Sequence, residues 1–185
     1  MEAAKTRFQV RDLTYIGIFA ALMAICAWIS IPVPPPLIPF TLQTLGVFLA
    51  VGLLGGKRGT IAVLVYILLG AAGAPVFAGF HGGMGSILGL AGGYIVGFLF
   101  TALVMWAMER LPGNRTLVLG ASMVLGLAVC YAFGTAWYMV LYAQRGESAA
   151  LGSVLAVCVA PFLVPDAIKI ALALLLTNRL KLHIK

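Results

Sequence analysis

Apolar residues run through this chain in blocks long enough to cross a lipid bilayer. What separates the blocks is proline, glycine or clustered charge. That pattern leaves few folds open. Of the 185 residues, 63% are hydrophobic and 9% charged, whereas a soluble domain carries about 25% charged residues. The sequence therefore predicts an all-α integral membrane protein. No charged or Ser/Gly-rich segment is long enough to form a second unit or a flexible linker, so residues 1–185 are expected to be one transmembrane domain.

The first predicted span runs from Asp12 to Ile31, about the 20 residues that the hydrocarbon core requires. The stacked prolines of "IPVPPPLIP" end it, because proline cannot continue a helix. It is longer than the apolar region of a signal peptide and lacks a clean small-residue cleavage site, so it is expected to be retained. The second span runs from about Phe40 to Leu54 and stops at "GGKRG". It is short, which predicts tilt or a cavity-lining role. The third covers about Thr60 to Ala72 and is followed by the Gly-rich "GAPVFAGFHGGMG". The fourth is Ser86 to Met108 and the fifth Leu117 to Tyr142. The last apolar block, Gly152 to Leu176, contains Pro161 and Pro165. Proline favours the first turn of a helix. The block therefore divides into a short re-entrant or surface helix ending near Val159 and a final span from near Pro165. On that reading Asp166 lies in the first turn of the last helix and Lys169 one turn further in.

Six spans put both termini on one side. Ten of the 12 Lys and Arg residues fall there: Lys5, Arg7, Arg11, Lys57, Arg58, Arg110, Arg115, Arg179, Lys181 and Lys185. Arg145 alone marks the opposite side, and Lys169 is intramembrane. The positive-inside rule makes the crowded side cytoplasmic, in a bacterial or archaeal plasma (inner) membrane crossed several times. It also explains the net charge of +7 as topology signals and contacts with anionic lipid of the bilayer, not as a nucleic-acid surface. Two Pro/Gly-rich connections and the start of the last helix then gather outside. Non-helical backbone at membrane depth must be buried in protein or line a cavity, so a pocket opening outward is expected.

Several motifs have a bland reading beside a functional one. Gly85, Gly89, Gly93 and Gly97 recur every four residues and would form one smooth stripe on the fourth span. Close helix packing is the ordinary reason for such a stripe; a wall for a flat ligand is the other. Ala20 and Ala24 make a similar stripe on the first span, either packed inside the bundle or offered to another membrane subunit. "GGKRG" fails as a phosphate-binding loop. Val51 stands where the first glycine should be and Arg58 where Ser or Thr should be. Any ATP-driven role therefore needs a partner. Cys26, Cys130 and Cys158 are widely separated in apolar segments and read as small core residues. His81 and His183 are the only histidines, so neither a His-rich metal site nor a paired-carboxylate catalytic site can be assembled. No catalytic residue, metal or cofactor is expected.

Asp166 and Lys169 are the charges that need explaining. A charge at mid-bilayer costs about 2.5–3.5 kcal/mol on insertion scales and is expected to face protein and find a partner. At spacing i, i+3 the two side chains share a helix face. One reading is a structural pair that satisfies itself. The other is a half-exposed pair in a pocket, with Asp166 kept ionised near a helix N-terminus and Lys169 offering donors. Gln43 adds an amide, Phe40, Phe77, Phe80 and Tyr94 apolar walls, and Gly82 and Gly83 the backbone of the outer loop. Such a site suits a small, partly apolar molecule with an anionic end and an amide-like head. An intramembrane enzyme using Asp166 as base lacks a second catalytic group. A self-sufficient, proton-coupled transporter remains open on these residues alone.

"PFTLQTLGVFLAVGLLGGKRG", "LLGAAGAPVFAGFHGGMGSILGLAGGYIVGF" and "PFLVPDAIKIALA" closely resemble, in this order, the BioY family of biotin-binding membrane subunits (S components) of energy-coupling factor (ECF) transporters. The likeness runs from about residue 13 to 180. Two positions depart from the family pattern. Gly89-Leu90-Ala91-Gly92-Gly93-Tyr94 stands where the family often has Gly-Pro-Thr-Gly-Gly-Tyr, and Pro165 stands where it often has Gly. The resemblance implies a six-helix S-component bundle with both termini cytoplasmic, and capture of biotin from outside. It implies partners as well: a transmembrane coupling subunit (BioN or EcfT type) and cytoplasmic ATPases (BioM or EcfA type). The family's Asp-x-x-Lys pair falls on Asp166 and Lys169 as biotin contacts, and its small-residue docking motif on Ala20 and Ala24. An S component for another vitamin is the alternative.

Overall fold

The structure is a computed structural model that describes residues 9–31, 38–146 and 150–181. The expectations for the Pro-rich run 32–37, for Lys5, Arg7 and Lys185 in the charge count, and for His183 fall outside these residues. The described chain is mostly helical. α1 is Val10–Trp28, α2 Gln43–Leu54, α3 Gly56–Ala71, α4 Met84–Leu88, α5 Gly92–Met108, α6 Arg115–Gln144, α7 Leu151–Cys158 and α8 Ala160–Leu180. A two-residue antiparallel ribbon pairs β1 (Ser30–Ile31) with β2 (Phe40–Thr41). It ties the two ends of the Pro-rich connection together.

α2 is the centre of the bundle. It has 12 residues, about 18 Å of helix, too short to cross a bilayer core of about 30 Å alone. It has no need to, because Leu45 through Leu53 are buried and α1, α3, α5 and α8 all pack on it. The short second span expected from sequence is thus an interior helix. α2 meets α3 at Gly55, whose φ of +83° favours glycine. Just beyond it, a Cβ on Gly59 would sit 2.4 Å from the Val51 Cα, so only glycine allows the two helices to leave the corner this closely.

α1, α6 and α8 are long and apolar enough to cross a membrane. Their outer faces carry Ile18 and Ile25, Val124, Leu125 and Val129, and Val164, Ile168 and Leu172, all exposed in the isolated chain. So much exposed apolar surface suits contact with lipid rather than water. α1 starts with Asp12 returning to the Gln9 N–H at 3.1 Å and pairing with Arg58 of α3 at 3.0 Å. α6 starts at Asn114, whose side chain accepts from the Thr116 and Leu117 N–H groups.

Two span expectations need correction. The fourth span is not one helix. α4 ends at Leu88, the chain breaks over Gly89–Ala91, and α5 begins at Gly92. The turn is tight enough that a Cβ on Gly92 would overlap the Ile87 carbonyl oxygen, 1.6 Å away. The four-residue glycine spacing therefore does not make a single stripe. Gly93 and Gly97 pack against Trp137 and Cys130 of α6, whereas Gly85 and Gly89 line a cavity.

The final helix begins at Ala160, not near Pro165. Pro161 sits in its first turn, where a missing N–H is harmless. Pro165 deprives the Pro161 carbonyl of its donor, a loss the helix absorbs near its start. Asp166 accordingly lies in the second turn, beyond the reach of the first-turn dipole argument.

Candidate ligand-binding site

A cavity of 360 Å³ opens between α2, α4, α5, α6 and α8, within the roughly 300–1,000 Å³ of small-molecule sites. The α4–α5 break forms one wall, with Gly85, Ser86, Gly89 and Ala91. Apolar cover comes from Ile38, Phe77, Tyr94, Phe98 and Phe162. His81 and Gly85, both exposed, mark the open end.

The polar end is built around Asp166 and Lys169, 1% and 7% exposed. Lys169 Nζ donates to Asp166 Oδ1 at 2.6 Å and to the Thr41 carbonyl at 2.7 Å. That carbonyl belongs to β2, where the chain turns into α2. Asp166 Oδ1 also accepts from Thr44 Oγ1 at 3.0 Å, and Oδ2 accepts from the Tyr131 hydroxyl of α6. Removing two charges from water is costly, and these bonds are what compensate it. Yet the cluster is not saturated. An ammonium has three N–H donors and a carboxylate about four acceptor sites. Among the described residues two donors and three acceptor sites are in use, so each group can still meet a ligand. The self-satisfied pair and the pocket-lining pair, alternatives on the sequence, are both present: the two groups lock together and also line the cavity.

Gln43 lies beside them. Its Oε1 accepts from Thr41 Oγ1 at 2.9 Å, and its Nε2 donates to Tyr66 OH at 2.6 Å, which in turn donates to the Val76 carbonyl at 3.0 Å. This relay holds the loop after α3 against α2 and leaves one amide N–H of Gln43 unused.

Of the residues singled out from sequence, Asp166, Lys169, Gln43, Phe77 and Tyr94 converge on the cavity. The others do not line it. Phe40 stacks on Phe162 at 4.3 Å and backs the wall from behind. Phe80 is 63% exposed and stacks on Trp28 at 5.1 Å, because a φ of +60° turns it away. Gly82 is pressed on the Ala74 carbonyl, and Gly83, at φ +86°, caps α4. Ala20 and Ala24 are 3% and 6% exposed, turned into the bundle core. The small residues that α1 shows outward are Gly17 and Ala21. Sequence reasoning missed Thr41, Thr44 and Tyr131. Thr41 acts through its backbone, and Tyr131 is one uncharged residue in an apolar helix.

The BioY family model matches residues 2–185. The chain belongs to the BioY family. It is 42% identical over 172 residues to "Biotin transporter BioY" of Thermotoga maritima, covering 93% of this chain and 96% of that one. It is 35% identical to "Probable biotin transporter BioY" of Pyrococcus horikoshii, covering 94% and 98%. Among solved structures it is similar to an S-component for biotin from an ECF-type ABC transporter, with TM-score 0.82, 29% identity and coverage of 98% and 96%. A second S component of a bacterial ECF transporter shares the fold, at TM-score 0.61 and 20% identity.

Proposed function

We propose that this BioY protein takes up biotin as the substrate-binding S component of an ATP-driven ECF transporter. The observation that carries the reading is the cavity: apolar walls lead to a buried Asp166–Lys169 cluster with one spare donor, a spare acceptor site and the Gln43 amide beside it. A ureido ring presents N–H donors and a carbonyl acceptor together, which is the complement of that cluster. The cluster is close to neutral, so it has little attraction for a net anion. The ligand's carboxylate belongs at the open end, near exposed His81, and the thioether ring and chain lie along Phe77 and Tyr94. No cofactor is required. The test is calorimetry of the purified chain with biotin and with a panel of other vitamins. One-to-one binding of biotin alone supports the reading; a preference for another vitamin keeps the fold and overturns the ligand.

We further propose a six-helix membrane bundle, α1, α2, α3, α5, α6 and α8, in which the short α2 runs inside the bundle shielded from lipid, with both termini in the cytoplasm of a bacterial or archaeal cell. The cavity then faces outward, and the lysine and arginine count favours this orientation. Leu111→Cys and Arg145→Cys test it. The three native cysteines are buried, so a membrane-impermeant maleimide on intact cells should label only the second variant. ATP hydrolysis comes from cytoplasmic ATPases, coupled through a transmembrane partner that packs on α1. The outward small residues there, Gly17 and Ala21, support a close helix contact, whereas Ala20 and Ala24 serve the bundle core.

A further inference from the structure

A second cavity, of 340 Å³, lies at the other end of the bundle, where the C-terminal ends of α2, α5 and α8 meet the start of α6. Two cations line it, Arg115 and Lys181. Lys181 Nζ donates to the Gly52 carbonyl at 3.1 Å. Among the described residues Glu109 is the one carboxylate of the lining. Its Oε2 accepts the Gly56 N–H, the first of α3, at 2.7 Å. Among the described residues neither Arg115 nor Lys181 has a carboxylate within ion-pair distance. The first turn of α6 has no acid to balance the positive end of a 30-residue helix. Burial first, and then the charge of Arg115, pull the Lys181 amine below its ordinary value, and the Glu109 carboxylate offsets part of this. Val51, Met105, Leu111, Val118 and Leu119 supply apolar lining, and Ser122 a hydroxyl.

From this geometry we infer that the inner cavity binds a phosphate-bearing anion through Arg115 and Lys181. The two cations outnumber the carboxylate in the lining, and an anion that bridges them balances the excess charge. Arg offers a planar fork suited to phosphate oxygens, and Lys a point charge. The apolar lining and the position at the bundle end favour a phospholipid headgroup, whose acyl chains continue along the lining. Inorganic phosphate offers the same charge without the chains. The site does not touch the outer cavity, so its fate is independent of the biotin reading.

The test is native mass spectrometry of the full chain exchanged into micelles doped with phosphatidylglycerol or phosphatidylcholine, with a separate titration of inorganic phosphate. Wild type is expected to retain phosphatidylglycerol in preference to phosphatidylcholine. Arg115→Gln and Lys181→Gln are each expected to weaken that retention about fivefold, from about 1 kcal/mol per basic residue near an anionic headgroup. Arg145→Gln, at the far end, is expected to leave it unchanged. A melting temperature in detergent close to that of wild type shows that the variants are folded. Phosphate binding that the same two substitutions abolish, with no lipid preference, would assign the site to a soluble anion. Equal retention of both lipids with no phosphate binding, or retention unaffected by either substitution, overturns the site.

Discussion

Replacing Asp166 with asparagine keeps the shape of the side chain and removes its charge. The Lys169 ammonium then stays 7% exposed with one neutral acceptor, the Thr41 carbonyl, and a weakened second one. Taking one partner from a buried pair costs about 3–5 kcal/mol. Tyr131, which donates to Oδ2, meets an amide that is also a donor if the new oxygen stays with Lys169 and Thr44. Lys169→Met is milder, because the carboxylate keeps the Thr44 and Tyr131 donors. The double variant Asp166→Asn/Lys169→Met removes both charges. Exchange of a whole buried pair for neutral groups is often neutral or stabilising, so thermal unfolding in detergent should recover most of the loss of the singles. Biotin binding, followed by calorimetry, should not recover. Each lost charge-assisted bond to ligand is worth about 1.5–3 kcal/mol, about 10- to 150-fold in Kd. A double variant that melts like wild type and also binds like wild type would refute the argument and leave the pair a purely structural device.

Three further outcomes are expected. Tyr131→Phe should weaken biotin binding about tenfold, with the melting temperature changed much less than in Asp166→Asn, since one bond to a charged acceptor is lost. Gly97→Ala should lower the melting temperature, by about 1–3 kcal/mol of overpacking, because its Cβ would lie 2.7 Å from Cys130 Sγ; Gly85→Ala, with open space around it, should not. Ala21→Trp should block uptake in whole cells while the purified chain still binds biotin, whereas Ala20→Trp should fail at folding, seen as a lower melting temperature and poor recovery from the membrane.

Much of the architecture was legible because lipid imposes strong rules. Long apolar runs, Pro/Gly breaks and the bias of lysine and arginine define the helices to within a few residues. The short α7 was legible from Pro161 and Pro165, although the start of α8 was not: two prolines four residues apart fit either a new helix or a helix that tolerates one gap. The α4–α5 break escaped notice since Gly85, Gly89, Gly93 and Gly97 keep helical spacing right across it. In the site, Asp166 and Lys169 stood out because charge is rare in such surroundings, and Gln43, Phe77 and Tyr94 followed from polarity or size. Tyr131 and Thr44 reach the same carboxylate from other helices, and their spacing along the chain holds no trace of that meeting. The Thr41 carbonyl is invisible to any reading of side chains. α1 shows the limit most clearly: Gly17, Ala20, Ala21 and Ala24 place small residues on both faces, so spacing alone cannot say which face turns inward.

The central claim is that the buried Asp166–Lys169 cluster grips biotin's head in the cavity beside it. The most direct measurement is a high-resolution structure of the chain crystallised with biotin. The account requires ligand density in the cavity, with the ureido group within hydrogen-bond distance of both Asp166 and Lys169 and the carboxylate toward His81. Biotin seated elsewhere in the bundle, or in the cavity with neither group in reach, would contradict it.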